Sequence, residues 1–278
     1  MRTIVPAAAA LLVTGCAPGI AGAGQAADRR AAPYPYLRGA PTARAGGPAG
    51  GAPGVWRPTP ARFTVVVTGD VPRGTRRAVL ASIEPAIRSA DLVIRSSATR
   101  VQTIRGVPVA LLAYRPGVDV GEILAAAHEA RQAGAGAVIV NLSWGTPPQG
   151  LVTAGQIALA QKLLASPDVD LLIGRGVHVV QPYARATNGK WVAYGLGDLT
   201  GPAAVVARFT FTLRDSRWTV SRAAFTPTCL DHGRVLDVPA ELARRHLAKA
   251  RRAALKAVQD HTAKIVYSRH ALPVITAD

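Results

Sequence analysis

From residue 62 to residue 174 the chain alternates apolar runs with helical stripes, and this alternation limits its fold more than any other feature. The run Arg62-Phe63-Thr64-Val65-Val66-Val67-Thr68-Gly69-Asp70 is β-branched and apolar at consecutive positions, as a strand covered on both faces requires. Its Gly-Asp turn places Asp70 at the strand's carboxyl end. A helix presenting Val79, Leu80, Ile83 and Ile87 is predicted next, followed by strands at Leu92-Val93-Ile94 and Val109 to Tyr114. Asp119 and Glu122 have capping-box spacing for a helix with stripe Val120, Ile123, Leu124 and Ala127, ended by Gly134. A strand at Ala137 to Leu142 follows. Thr153 and Gln156 repeat the capping-box spacing, for a helix burying Ile157, Ala160, Leu163 and Leu164, and a strand runs from Asp170 to Gly174. Strands and helices in this order imply parallel strands joined by helical crossovers.

Beyond residue 190 the pattern changes. Trp191 to Leu196, Val205 to Leu213 and Trp218 to Phe225 read as strands separated by turn signals such as Asp215-Ser216, so an antiparallel portion is expected. Asp237 and Pro239 mark a last helix start, and residues 240 to about 265 carry Arg244, Arg245, Lys249, Arg251, Arg252, Lys256 and Lys264 among Ala and Leu. The expected class is α/β, with mixed sheets covered by helices and a basic helix at the end.

The amino terminus carries a charged Met1-Arg2, a short apolar run from Ile4 to Val13, and then Thr14-Gly15-Cys16, the layout of an export signal. That run is shorter than the roughly 20 apolar residues a membrane-spanning helix needs. Val13-Thr14-Gly15-Cys16 resembles the lipobox of bacterial lipoproteins, in which the cysteine becomes the acylated first residue. A cut after Ala21-Gly22-Ala23, giving a soluble secreted product, is the competing reading. Residues 17 to 60 are rich in Ala, Gly, Pro and Arg and lack an apolar face, so they read as a disordered tether. The resulting plan is a signal at 1–16, a tether at 17–60, an α/β domain at 61–238 and a basic helix and tail at 239–278. Only Cys16 and Cys229 are present, so no disulfide framework is expected.

In open α/β sheets, functional residues collect beyond the carboxyl ends of strands. Here those positions hold Asp70, Ser143-Trp144-Gly145, Arg175-Gly176-Val177-His178 and Gly197-Asp198. The order Gly69-Asp70-Val71, Val138 to Gly145, Asp170 to Pro182, Asn188-Gly189-Lys190 and Tyr194 to Leu199 resembles the capsule-biosynthesis CapA family, associated with poly-γ-glutamate synthesis. The resemblance implies a calcineurin-like metallophosphoesterase fold, a sandwich shortened here between Asp70 and Ser143. It also implies a divalent-metal centre, with Asp70 and His178 as the matching metal-ligand and catalytic positions. Two bound cations would lower the pKa of bound water and clamp the oxygens of an in-line displacement.

Most other positions depart from the family pattern. Ser143 stands where a His precedes Trp-Gly, Arg175 and Gly176 replace other histidines of the loop, and Asp198 replaces an Asn; no Asn-His pair occurs. One carboxylate and one imidazole fall short of a catalytic metal's usual protein ligands. Arg175 at this mouth would instead favour an anion. Ser143, Trp144, Arg175 and Asp198 are therefore expected to contact substrate. Structural roles compete with these readings: Asp70 as a turn or helix cap, His178 as a hydrogen-bonded imidazole, Trp144 and Trp191 as core. A Ser143 and His178 hydrolase is not favoured, since no Gly-x-Ser-x-Gly elbow surrounds the serine.

With 33 Lys and Arg against 16 Asp and Glu, the formal charge of +17 attracts polyanions. For an exported chain the expected partner is an acidic envelope polymer or an anionic membrane surface. Nucleic acid is not expected, because neither an aromatic RNA-binding pair nor a Cys/His finger is present. The expected function is non-catalytic handling of an acidic capsule polymer such as poly-γ-glutamate, with a metal-dependent hydrolase of reduced metal site as the alternative.

Overall fold

The computed structural model describes residues 62–71, 77–88, 90–95 and 98–268. The segments read above as an export signal and a tether, with Cys16, lie outside the described residues. A five-stranded sheet has the order β11-β10-β9-β1-β2, built from β1 (Arg62–Thr68), β2 (Leu92–Ile94), β9 (Ala204–Arg214), β10 (Arg217–Asp231) and β11 (Arg234–Asp237). β1 and β2 run parallel and the other pairs antiparallel. A six-stranded sheet has the order β3-β4-β5-β6-β8-β7, from β3 (Arg100–Ile104), β4 (Val107–Tyr114), β5 (Ala137–Ser143), β6 (Leu171–Arg175), β7 (Tyr183–Arg185) and β8 (Trp191–Ala193). In it β4, β5, β6 and β8 run parallel, as the alternating sequence implies, and β3 and β7 are antiparallel edges.

The period of two along each strand divides its side chains between two cores. Phe63, Val65, Val67, Phe209 and Phe211 of the first sheet meet Val109, Leu111, Ile139, Leu171 and Ile173 of the second. Phe63 stacks on Phe211 with centroids 4.8 Å apart, and Trp218 tilts against Phe63 at 4.9 Å. The intervening residues Leu112, Val138, Val140, Leu142 and Leu172 face α3 (Val120–Gln132) and α4 (Ala154–Ala165). The fold is thus α/β, two mixed sheets packed face to face and covered by helices.

α3 is capped by Asp119, whose side chain accepts the Gly121 N–H, and α4 by the full Thr153 and Gln156 box. Two helix expectations change. The predicted helix over Val79 to Ile87 is α1 (Arg77–Leu80), a 3-10 turn at Ala81–Ile83 and α2 (Glu84–Ile87). Pro85, lacking an N–H, cannot continue the hydrogen-bond ladder of a single helix. Ile83 and Ile87 are nonetheless buried. The basic carboxyl-terminal helix is likewise two, α5 (Val238–Leu242) and α6 (Lys249–Val266). The Arg252 guanidinium donates to Leu242 O at 2.7 Å and Arg244 O at 2.9 Å, satisfying carbonyls that the break leaves open. α6 also packs on the preceding domain: Leu255 joins Cys229, Leu236 and Val238 in one cluster, and Val266 enters the intersheet core. No helix among the described residues is long and apolar enough to cross a membrane.

Candidate functional site

The carboxyl ends of β1 and β6, one from each sheet, meet the segment 196–198. Asp70 N donates to Gly197 O at 2.8 Å and Leu199 N to Asp70 O at 2.9 Å, fixing Asp70 beside Asp198. This approach depends on Gly69, where a Cβ would lie 2.5 Å from Gly197 O. β6 needs the same allowance at Gly174, where a Cβ would lie 2.0 Å from Tyr194 O. The turn after β6 has positive φ at Gly176 and at His178, 80° and 61°, and delivers the imidazole to the same mouth.

Both Asp70 oxygens are engaged. Arg175 Nη1 donates to Oδ1 at 2.8 Å and the Gly176 N–H donates to Oδ2 at 3.0 Å. The Arg175 side chain is 3% exposed against 29% for Asp70. Arg175 was expected to offer its charge to a substrate; it is instead buried at the end of β6 and ion-paired. A guanidinium in an apolar strand requires a counter-charge, and Asp70 supplies it. Nε and Nη2 of Arg175 are buried without a hydrogen-bond partner among the described residues.

The second pair faces solvent. His178 Nδ1 lies 3.1 Å from Asp198 Oδ2, and the imidazole is about half exposed. Burial raises the Asp198 pKa above the usual carboxylate value, His178 opposes that rise, and the neighbouring Asp70 charge adds to it. Asp198 Oδ1 is buried without a partner among the described residues. Ser143, half-buried, pairs with Arg175 across β5 and β6, and no hydrogen bond among the described residues joins it to His178. Trp144, expected to meet substrate, is core: it is 5% exposed, stacks on Tyr194 at 5.4 Å and donates Nε1 to Tyr194 O at 2.8 Å.

One positioning network was not anticipated. Gln181, fully buried, donates to Gln149 O and Leu151 O at 2.8 and 3.1 Å, while Gln149 donates to Gln156 Oε1 at 2.7 Å. These amides tie the loop after Trp144 to α4 and to the segment after His178. The only sequence signal was Gln181, a lone polar residue in the apolar stretch Val179 to Pro182.

Asp70, His178 and Asp198 each offer a ligand atom, all within 4.8 Å of one another. Two carboxylates and one imidazole are too few for a two-metal centre. One carboxylate is also already committed to a buried guanidinium, whose charge opposes a divalent cation at that point. The residues present do not fit a dinuclear cluster.

The family model described as bacterial capsule synthesis protein PGA_cap matches residues 45–202. No curated protein matches the chain. Among solved structures it is similar to a hypothetical protein from Thermus thermophilus, at 13% identity and a TM-score of 0.40, over 59% of this chain and 98% of that one. It is also similar to the calcineurin-like phosphoesterase YfkN from Bacillus subtilis, at 11% identity and a TM-score of 0.30, over 66% of this chain and 65% of that one.

Proposed function

The chain belongs to the bacterial capsule synthesis protein family PGA_cap, and on that premise we propose that it serves capsule synthesis by binding an acidic envelope polymer rather than by two-metal hydrolysis. The observation that carries this reading is the Arg175 and Asp70 pair. It commits one of the mouth's two carboxylates to an internal cation, where a hydrolytic cluster would need it as a ligand. The formal charge of +17 supports an anionic partner, and at the cell envelope such a partner is a polymer such as poly-γ-glutamate. The proposed location is the envelope, with Cys16 as the lipid-anchored residue or, with a later cut, as a soluble secreted product. Retention of the purified chain on immobilised poly-γ-glutamate, and not on a neutral polysaccharide, tests the reading; equal passage through both matrices refutes it.

A second reading rests on the convergence of Asp70, His178 and Asp198 within 4.8 Å. A single divalent ion held there would make the chain a hydrolase with a reduced site, provided Asp70 left Arg175. Elemental analysis of protein purified without chelator separates the two: stoichiometric metal favours the second reading, and its lack favours the first.

A further inference from the structure

We propose that the acidic chain is gripped not at the Asp70 and His178 mouth but in an arginine-lined cleft at the other end of the domain's chain, between the β10–β11 turn, the 3-10 turn and α5–α6. This rests on the polymer-binding reading above and adds its location. The cleft measures about 520 Å³ and its walls include Arg234, Arg244, Arg251 and His232. Its two carboxylates are already matched: Asp231 accepts from Arg251 Nη2 at 2.8 Å, and Glu241 lies 3.4 Å from Arg244 Nη1. The Arg251 hydrogen bond holds Asp231 ionised, with its pKa below the usual carboxylate range. Arg234 is exposed and takes part in no ion pair among the described residues, so the cleft carries uncompensated positive charge.

The geometry suits a repeating carboxylate rather than a small ligand. Arg244 is 69% exposed and uses one donor on Glu241, which leaves most of its fork toward solvent. The bonds from Arg252 to Leu242 O and Arg244 O place a further guanidinium at the cleft's edge. Beyond it, Lys249 is exposed at the start of α6, three residues before Arg252, while Lys256, four residues after it, is paired with Asp260 at 3.0 Å. A polymer of acidic residues entering the cleft would therefore continue past Arg252 and Lys249 at the start of α6. The Asp70 mouth offers no equivalent, since its arginine is buried and ion-paired and two carboxylates, Asp70 and Asp198, stand beside it.

The test is titration of the full chain with poly-γ-glutamate at low ionic strength. It compares the native protein, R234E/R244E, and a charge-matched control, K162E/R214E, whose exposed residues lie on α4 and at the β9–β10 turn. Loss of about tenfold or more in affinity for R234E/R244E, against less than about threefold for the control, is expected. Unfolding midpoints of the variants check the fold, and R234Q/R244Q replaces the first variant should it fail to fold. Equal weakening of both variants, or of neither, overturns the cleft while leaving polymer binding intact. Failure of the native protein to bind overturns both.

Discussion

Arg175 and Asp70 face each other at 2.8 Å across 105 residues of sequence, the arginine at the end of a fully buried strand and the aspartate at the end of β1 in the other sheet. The pair joins the two sheets at the mouth where Asp198 and His178 also lie.

Removing its two halves should have unequal effects. Asp70→Asn strands a buried guanidinium and is expected to cost about 3 kcal/mol, at the low end of the range for buried pairs because Asp70 is partly exposed. Arg175→Met leaves a part-exposed carboxylate that keeps the Gly176 N–H, so it should cost less. Denaturant midpoints of the two variants measure the order, and a larger loss for Arg175→Met would contradict it.

Asp198 gives a pH signature. Because burial raises its folded pKa, the folded state holds the proton more tightly than the unfolded chain, and stability falls as pH rises from the usual carboxylate value through the raised one. Asp198→Asn removes that penalty. The variant should gain stability over the native protein at neutral pH and lose the advantage under acid conditions, as read from thermal unfolding across pH. A gain that is the same at every pH would count against it.

Substitution of Gly174 by Ala should prevent folding, since the added Cβ would sit 2.0 Å from Tyr194 O and 2.3 Å from Trp144 Nε1. Gly69→Ala is expected to fold poorly or to push Asp70 away from Asp198, which perturbed His178 chemical shifts would report.

Much of the scaffold was legible because burial on both faces leaves a plain trace: Val138 to Leu142 and Leu171 to Ile173 are strands in sequence and in structure. β3 was not, because Val101, Gln102 and Thr103 are exposed on an edge strand and carry no apolar alternation. The break between α5 and α6 was hidden because no Gly or Pro separates Leu242 from Lys249, and the carbonyls it opens are met by a guanidinium from Arg252, ten residues on. At the site, sequence order placed Asp70, His178 and Asp198 at strand ends, where they do converge. It misjudged Arg175 and Trp144 because exposure is a tertiary property. Arg175 closing the apolar strand Leu171 to Gly174 was the available hint that its charge is met internally.

The capping box at α4 also separates two roles. Thr153→Ala should cost about 1 kcal/mol, the usual loss of a cap. Gln156→Ala should cost more, because it also removes the acceptor of Gln149 Nε2 and leaves buried amides unmet. Equal midpoints for the two variants would show that the glutamine network carries no stability of its own.

The most direct test is a salt series of poly-γ-glutamate titrations performed in chelator. The account predicts binding without metal, with the logarithm of affinity falling steadily as the logarithm of salt concentration rises, as displacement of counterions from a polyanion requires. Absence of binding, or binding and bond cleavage that appear only when a divalent cation is restored, would contradict it.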